Sequence, residues 1–158
     1  MYSPLQLHQI AMIEYERAQT QASRGRLVAM LLRKRNHLLS LDTILNCLTT
    51  HGQHSLGLMT VAVDKIVGTV SRNQDFDRNF MPLRAVTMER WLRILKARLK
   101  NEYLPPVELR KVGNAYFVVD GHHRISVARE QGQAFIDAYV TELDAPEEEL
   151  RKLGIAGI

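Results

Sequence analysis

Ser3-Pro4-Leu5-Gln6 carries the marks of a helix start: a capping hydroxyl, a proline at the first helical position and a Gln three residues after the cap. Leu7, Ile10, Ala11, Ile13, Ala18 and Ala22 then recur at roughly helical spacing. Gly25 is expected to interrupt the pattern before Leu27, Val28, Met30, Leu31 and Leu32 continue it. A second helix is predicted from about Leu41, with Ser40 as its cap, Leu41, Ile44, Leu45 and Leu48 facing inward, and an end by Gly52. Residues 1–57 therefore read as a helical extension. The period changes over residues 60–70, where Val61, Val63, Ile66, Val67 and Val70 predict a strand. Residues 71–82 are polar and irregular, with Arg72, Asp75, Asp77 and Arg78 set around Phe76 and Phe80.

Thr87 is expected to cap an amphipathic helix that buries Met88, Trp91, Leu92, Leu95 and Leu99 and carries a stripe of Arg93, Lys96 and Lys100. Pro105-Pro106 stops it. Residues 107–112 and 115–119, joined by Gly113-Asn114, read as a β-hairpin. Asp120-Gly121 leads into a helix over 122–131, closed by Gly132, and residues 135–140 form one further strand. A last short helix places Glu147, Glu148 and Glu149 first and Arg151-Lys152 last, in accord with the helix dipole. The predicted class is α+β: a small mixed sheet with helices over 58–143, the helical extension before it and the short helix over 144–158.

At 158 residues, 46% hydrophobic and 24% charged, the chain has the composition of a globular protein that builds its core without staples. One cysteine, Cys47, excludes an internal disulfide and a cysteine-rich zinc site. No apolar run approaches the ~20 residues that cross a bilayer, and the first residues lack the look of a secretion signal. A cytoplasmic protein without membrane partners is the expectation. His51 and His54 lie three apart, but no third ligand follows nearby in the sequence. Charge is uneven along the chain. Residues 1–40 hold six Lys and Arg against two Glu, whereas the remaining residues balance at 15 against 15. Arg33, Lys34 and Arg35 are the candidate contacts to nucleic acid, with a solvated helix face as the competing reading.

The most chemically capable stretch is Asp120-Gly121-His122-His123-Arg124. Gly121 permits a sharp bend at the end of a strand. The helix that follows opens with amides that have no intrahelical acceptor and carry partial positive charge, a natural seat for an anion. Arg124 adds a fork of donors suited to phosphate oxygens. His122 and His123 can donate to phosphate or shuttle a proton, and Asp120 can hold magnesium, accept a proton or orient a histidine. The competing reading is an ordinary Asp-Gly turn followed by a local ion pair.

The run from Leu104 to Arg124 resembles the ParB/sulfiredoxin superfamily, in which a strand pair leads into a Gly-x-x-Arg turn that opens a helix. Residues 61–67 resemble the family's first strand, 87–100 its following helix and 132–143 its closing strand, so the likeness covers about residues 58–143. The resemblance implies a nucleotide whose phosphates sit over the turn: CTP in ParB proteins, ATP or ADP in sulfiredoxins and free-serine kinases. It places Gly121 against the phosphates and Arg124 on them, matches His123 to the histidine of the sulfiredoxin motif, and leaves open whether Arg72 and Arg78 reach the same site. His122 stands where sulfiredoxins have their catalytic cysteine, which argues against sulfinic-acid reduction.

The leading expectation is a ParB-like nucleotide-binding domain, working as a homodimer in a DNA-associated or regulatory setting. A phosphotransferase using ATP or ADP with magnesium is the enzymatic alternative, with Asp120 and His122 as candidate bases and His123 and Arg124 stabilising phosphoryl charge. A metal-dependent nuclease would draw on Asp75, Asp77 and Asp120. An inert module that oligomerises by swapping its first helix is the structural alternative.

Overall fold

The computed structural model describes residues 1–71 and 74–156. Its helices are α1 (Pro4–Leu31), α2 (Leu41–Leu45), α3 (Met88–Leu99), α4 (His122–Glu130) and α5 (Glu147–Lys152). Its strands are β1 (Leu39–Ser40), β2 (Gly52–Ala62), β3 (Ile66–Thr69), β4 (Val107–Val112), β5 (Ala115–Asp120) and β6 (Phe135–Asp144). The class is α+β, as expected, and the chain forms two compact units, each assembled from three stretches. A helical unit takes Met1–His37, Gln74–Pro105 and His122–Gln133; a sheet unit takes Leu38–Asn73, Pro106–Gly121 and Ala134–Ile158.

In the helical unit, α1 starts on the capping box read from the sequence. The Ser3 hydroxyl accepts from the Gln6 N–H, and the Gln6 side chain accepts from the Ser3 N–H. Ala11, Tyr15, Ala18 and Ala22 recur on the buried stripe of α1, and these mostly small side chains pack with Trp91, Leu92 and Leu95 of α3 and Val127 of α4. Trp91 is fully buried, meets Tyr15 edge-on at 5.4 Å, and donates its indole N–H to Ser126 Oγ at 2.9 Å. The helix is not interrupted at Gly25. A glycine within a long helix costs only about 1 kcal/mol relative to alanine, too little to break it. α1 ends in a Schellman motif: Lys34 N–H donates to Ala29 O and Arg33 N–H to Met30 O. Arg33 sits there at φ 52°, in the left-handed conformation that glycine usually supplies.

The irregular loop before α3 is built around Asp77. Its Oδ1 accepts from the N–H groups of Asn79 and Met81, while Asp77 N–H donates to Met81 O. Phe80, fully buried at φ 60°, lies under the Arg129 guanidinium at 5.3 Å. Thr87 does precede α3, but its hydroxyl donates to Arg84 O instead of capping the helix amides.

The sheet unit holds one six-stranded mixed sheet in the order β1-β3-β5-β4-β6-β2. β4 and β5 form the expected antiparallel hairpin, and β3 and β6 flank it in parallel. Phe117, Val112, Ala115, Leu41 and Leu150 make the buried cluster of this unit. β1 runs parallel to β3, with Leu39 opposite Gly68. A Cβ at Gly68 would lie 2.2 Å from Leu39 O and 2.8 Å from the Phe117 ring, so only glycine lets the two strands meet. Two expectations fail here. The segment to residue 57 is not helical throughout: α2 is one short turn, and residues 52–57 belong to β2. β6 continues past Val140 to Asp144, because β2 pairs with it from Gly52↔Asp144 to Ala62↔Phe135. The divisions at 57/58 and 143/144 are thus not those between the two units, since pairing draws β1 and β2 into the sheet.

Candidate functional site

The sequence-predicted turn takes the expected local form. β5 ends at Asp120, Gly121 follows at φ 112°, where a side chain would be strained, and α4 begins at His122. Asp120 and Gly121 are the last residues of their stretch of the sheet unit, and His122 is the first of α4 in the helical unit. The first turn of α4 carries no acidic residue, so nothing in it offsets the positive end of the helix.

Three residues of that turn meet partners that no spacing rule names. The Phe76 ring stacks on His122, with centroids 6.2 Å apart and planes 15° from parallel. The same ring meets His123 edge-on at 5.1 Å. Arg124 donates to the backbone carbonyl of Pro105, which orients its guanidinium. His123 is half-buried, and burial holds its imidazole down at about 4, helped by the positive charges of Arg90 and His122 and opposed by Asp75. At neutral pH His123 is therefore uncharged, with one N–H donor and one acceptor nitrogen. Arg90 supplies a permanent positive charge beside it. Arg90, Phe76 and Asp75 are thus site neighbours. The basic stripe read on α3 took in Arg93, Lys96 and Lys100 and passed over Arg90, because nothing local links residue 90 to residue 123.

Other candidate residues fall elsewhere. Asp120 lies exposed on β5, opposite Glu108 in the register of the β4–β5 hairpin. Asp77 is buried, its Oδ1 held by two backbone amides, and its Oδ2 has no hydrogen-bond partner. Desolvation raises the Asp77 pKa, against its two amide donors and the charges of Arg129 and Arg78. Asp77 is therefore a loop anchor, and Arg78 is exposed beside it. Among the described residues no three His, Cys, Asp or Glu side chains gather as metal ligands. His54 turns to two carboxylates of β6, Asp144 at 3.2 Å and Glu142 at 3.6 Å. Arg72 lies outside the described residues. Arg33, Lys34 and Arg35 line a recess of their own at the end of α1.

The chain matches no protein-family model, no curated protein and no solved structure. No helix among the described residues is long and apolar enough to cross a membrane.

Proposed function

We propose that the chain is a phosphate-binding domain that takes a nucleotide at the Gly121–Arg124 turn, in a DNA-associated or regulatory role. The observation that carries this reading is the opening of α4: a nine-residue helix without a first-turn acid, entered from a left-handed glycine and furnished with His122, His123 and Arg124. Phosphate oxygens would take the helix amides and the Arg124 fork, with Arg90 adding charge and neutral His123 adding one directional hydrogen bond. The stacked Phe76–His122 pair stiffens the start of the helix, so these donors need little reorganisation. This reading agrees with the resemblance to the ParB/sulfiredoxin superfamily, in which the turn serves CTP or ATP and ADP.

Thermal shift tests it with CTP, ATP, ADP and GTP, each with and without magnesium, on the wild type and Arg124→Ala. One nucleotide at about 100 times its Kd should stabilise by about 2.7 kcal/mol, on the order of 5–10 °C in Tm, and the variant should lose the shift. An anion against His123 must also raise the pKa of that imidazole above its unliganded value of about 4, which NMR titration of its ring protons reads directly. A flat response to every nucleotide, with both proteins folded, sinks the reading in favour of an inert, oligomerising module.

A magnesium-dependent phosphotransferase is the second reading, favoured by one observation. Glu108 stands across the hairpin from Asp120 and would give magnesium a second carboxylate beside that of Asp120. Magnesium characteristically takes one or two carboxylates together with substrate phosphates. Nucleotide turnover abolished by Asp120→Asn, with nucleotide binding retained, would establish this reading; binding without turnover would dismiss it.

A further inference from the structure

The end of α1 forms a recess of about 490 Å³ that the nucleotide reading does not use. Arg26, Arg33, Lys34 and Arg35 line it, and no carboxylate does. Between Arg24 and Leu41 the chain has five cations and no acid, and none of the five pairs with a carboxylate among the described residues. Asn36 and His37 add polar groups to the lining, and Met30 and Leu83 add an apolar surface. The Schellman turn at Arg33 bends the chain back, which brings Arg26 from the helix and residues 33–35 from beyond it around one space.

We propose that this recess binds a single-stranded nucleic acid, with the four cations on its phosphodiester backbone and one unstacked base against Met30, Leu83 and a guanidinium face. The inference rests on the nucleic-acid half of the reading above and is independent of nucleotide capture at the turn. Three features select this ligand. A recess of about 490 Å³ has room for one nucleotide unit but not for the body of a duplex. Guanidinium planes both pair with phosphate and stack on bases. The helical unit as a whole carries 15 Lys and Arg against 7 Asp and Glu, a net of +8, so a polyanion is drawn to it from a distance.

Fluorescence anisotropy of a labelled oligothymidine of about 12 nucleotides, across a salt series, tests the proposal. The variants are Arg33→Gly and the double substitution Arg26→Gln with Arg35→Gln. Arg33→Gly relieves a left-handed arginine, so it folds at least as well as the wild type and should bind several-fold more weakly. The double variant should bind about tenfold more weakly, and its log K against log salt slope should be shallower by about 1.4, the value for two fewer phosphate contacts on a single strand. Wild-type affinity and slope in the double variant would overturn the proposal. So would a duplex bound as tightly as the single strand, or phosphatidylserine vesicles bound through these residues where the oligonucleotide is not. A chain that takes the strand and ignores every nucleotide removes only the nucleotide reading; one that shifts with nucleotide and ignores the strand removes only this inference.

Discussion

The helical and sheet units are built from the same chain in alternating stretches, yet their charges differ in sign. The helical unit has a net of +8, while the sheet unit has 6 Lys and Arg against 10 Asp and Glu, a net of −4. In the sheet unit Lys111 pairs with Glu142 at 2.8 Å across two strands, and Arg151 with Glu147 and Lys152 with Glu148 along α5. The helical unit leaves the cations at the end of α1 without carboxylate partners and spends its few acids elsewhere, Glu14 on Arg17, Asp75 on Arg84 and Glu102 on Lys100. Exposed pairs of this kind add little stability, so the contrast bears on what each unit attracts and not on how firmly it folds. An anionic ligand has a reason to approach one unit and not the other.

The largest effect expected from breaking this picture is at Trp91, which joins α1, α3 and α4 through Tyr15 and Ser126. Trp91→Ala should cost about 3–5 kcal/mol in chemical denaturation, with amide exchange rising first in α1, α3 and α4. A loss below about 1 kcal/mol would mean that the helical unit does not depend on this core.

A smaller effect sharpens the electrostatic side. Glu130 of α4 is raised to about 7, chiefly by burial and then by its hydrogen bond and charge repulsion with Glu14, against the pull of Gln131 and Arg17. The folded helical unit therefore holds a proton that the unfolded chain releases near the ordinary glutamate value of 4.5. Stability from this group is complete below about 4.5, declines as pH rises, and is gone above about 7. Glu130→Gln should flatten that decline and raise stability at pH 8 by on the order of 1 kcal/mol, after discounting for solvent screening. An unchanged pH profile in the variant would assign the decline to other groups.

The smallest effect is at Arg33. Arg33→Gly should stabilise the end of α1 by about 0.5–1 kcal/mol while weakening oligonucleotide binding, a pairing of opposite signs that a purely structural arginine does not produce. Destabilisation on this substitution would mean that the side chain, and not its charge, holds the turn.

Much of the site was legible because its signals are short-range. Asp120-Gly121 at the end of an alternating strand, followed by polar helix-opening residues, predicts a strand–turn–helix, and that is the local structure found. Phe76, Asp75 and Arg90 were not legible as neighbours of His122 and His123, since they reach them from stretches more than 30 residues away. The first half of β2, residues 52–57, falls in the segment expected to be helical because Gly52-Gln53-His54-Ser55 shows neither period. Its extended form depends on the ladder it makes with β6, some 80 residues on. The interruption expected at Gly25 failed for a related reason: a local penalty of about 1 kcal/mol yields to the packing of a long helix.

What the sequence determined by itself is what neighbours in the chain decide: the Ser3–Gln6 capping box, the Gly113-Asn114 hairpin, the buried face of α3 and the turn into α4. Each follows from bonds and contacts within a few residues, for which spacing is enough. The sorting of charge was left to the tertiary structure. Along the sequence the basic excess sits in the first 40 residues; in the fold, α3 and the loop before it join α1 and α4, and the acidic stretches go to the sheet. Coulomb interactions depend on distance in space, and only the packing of the helices around Trp91 and the pairing of the strands set which charges share a surface.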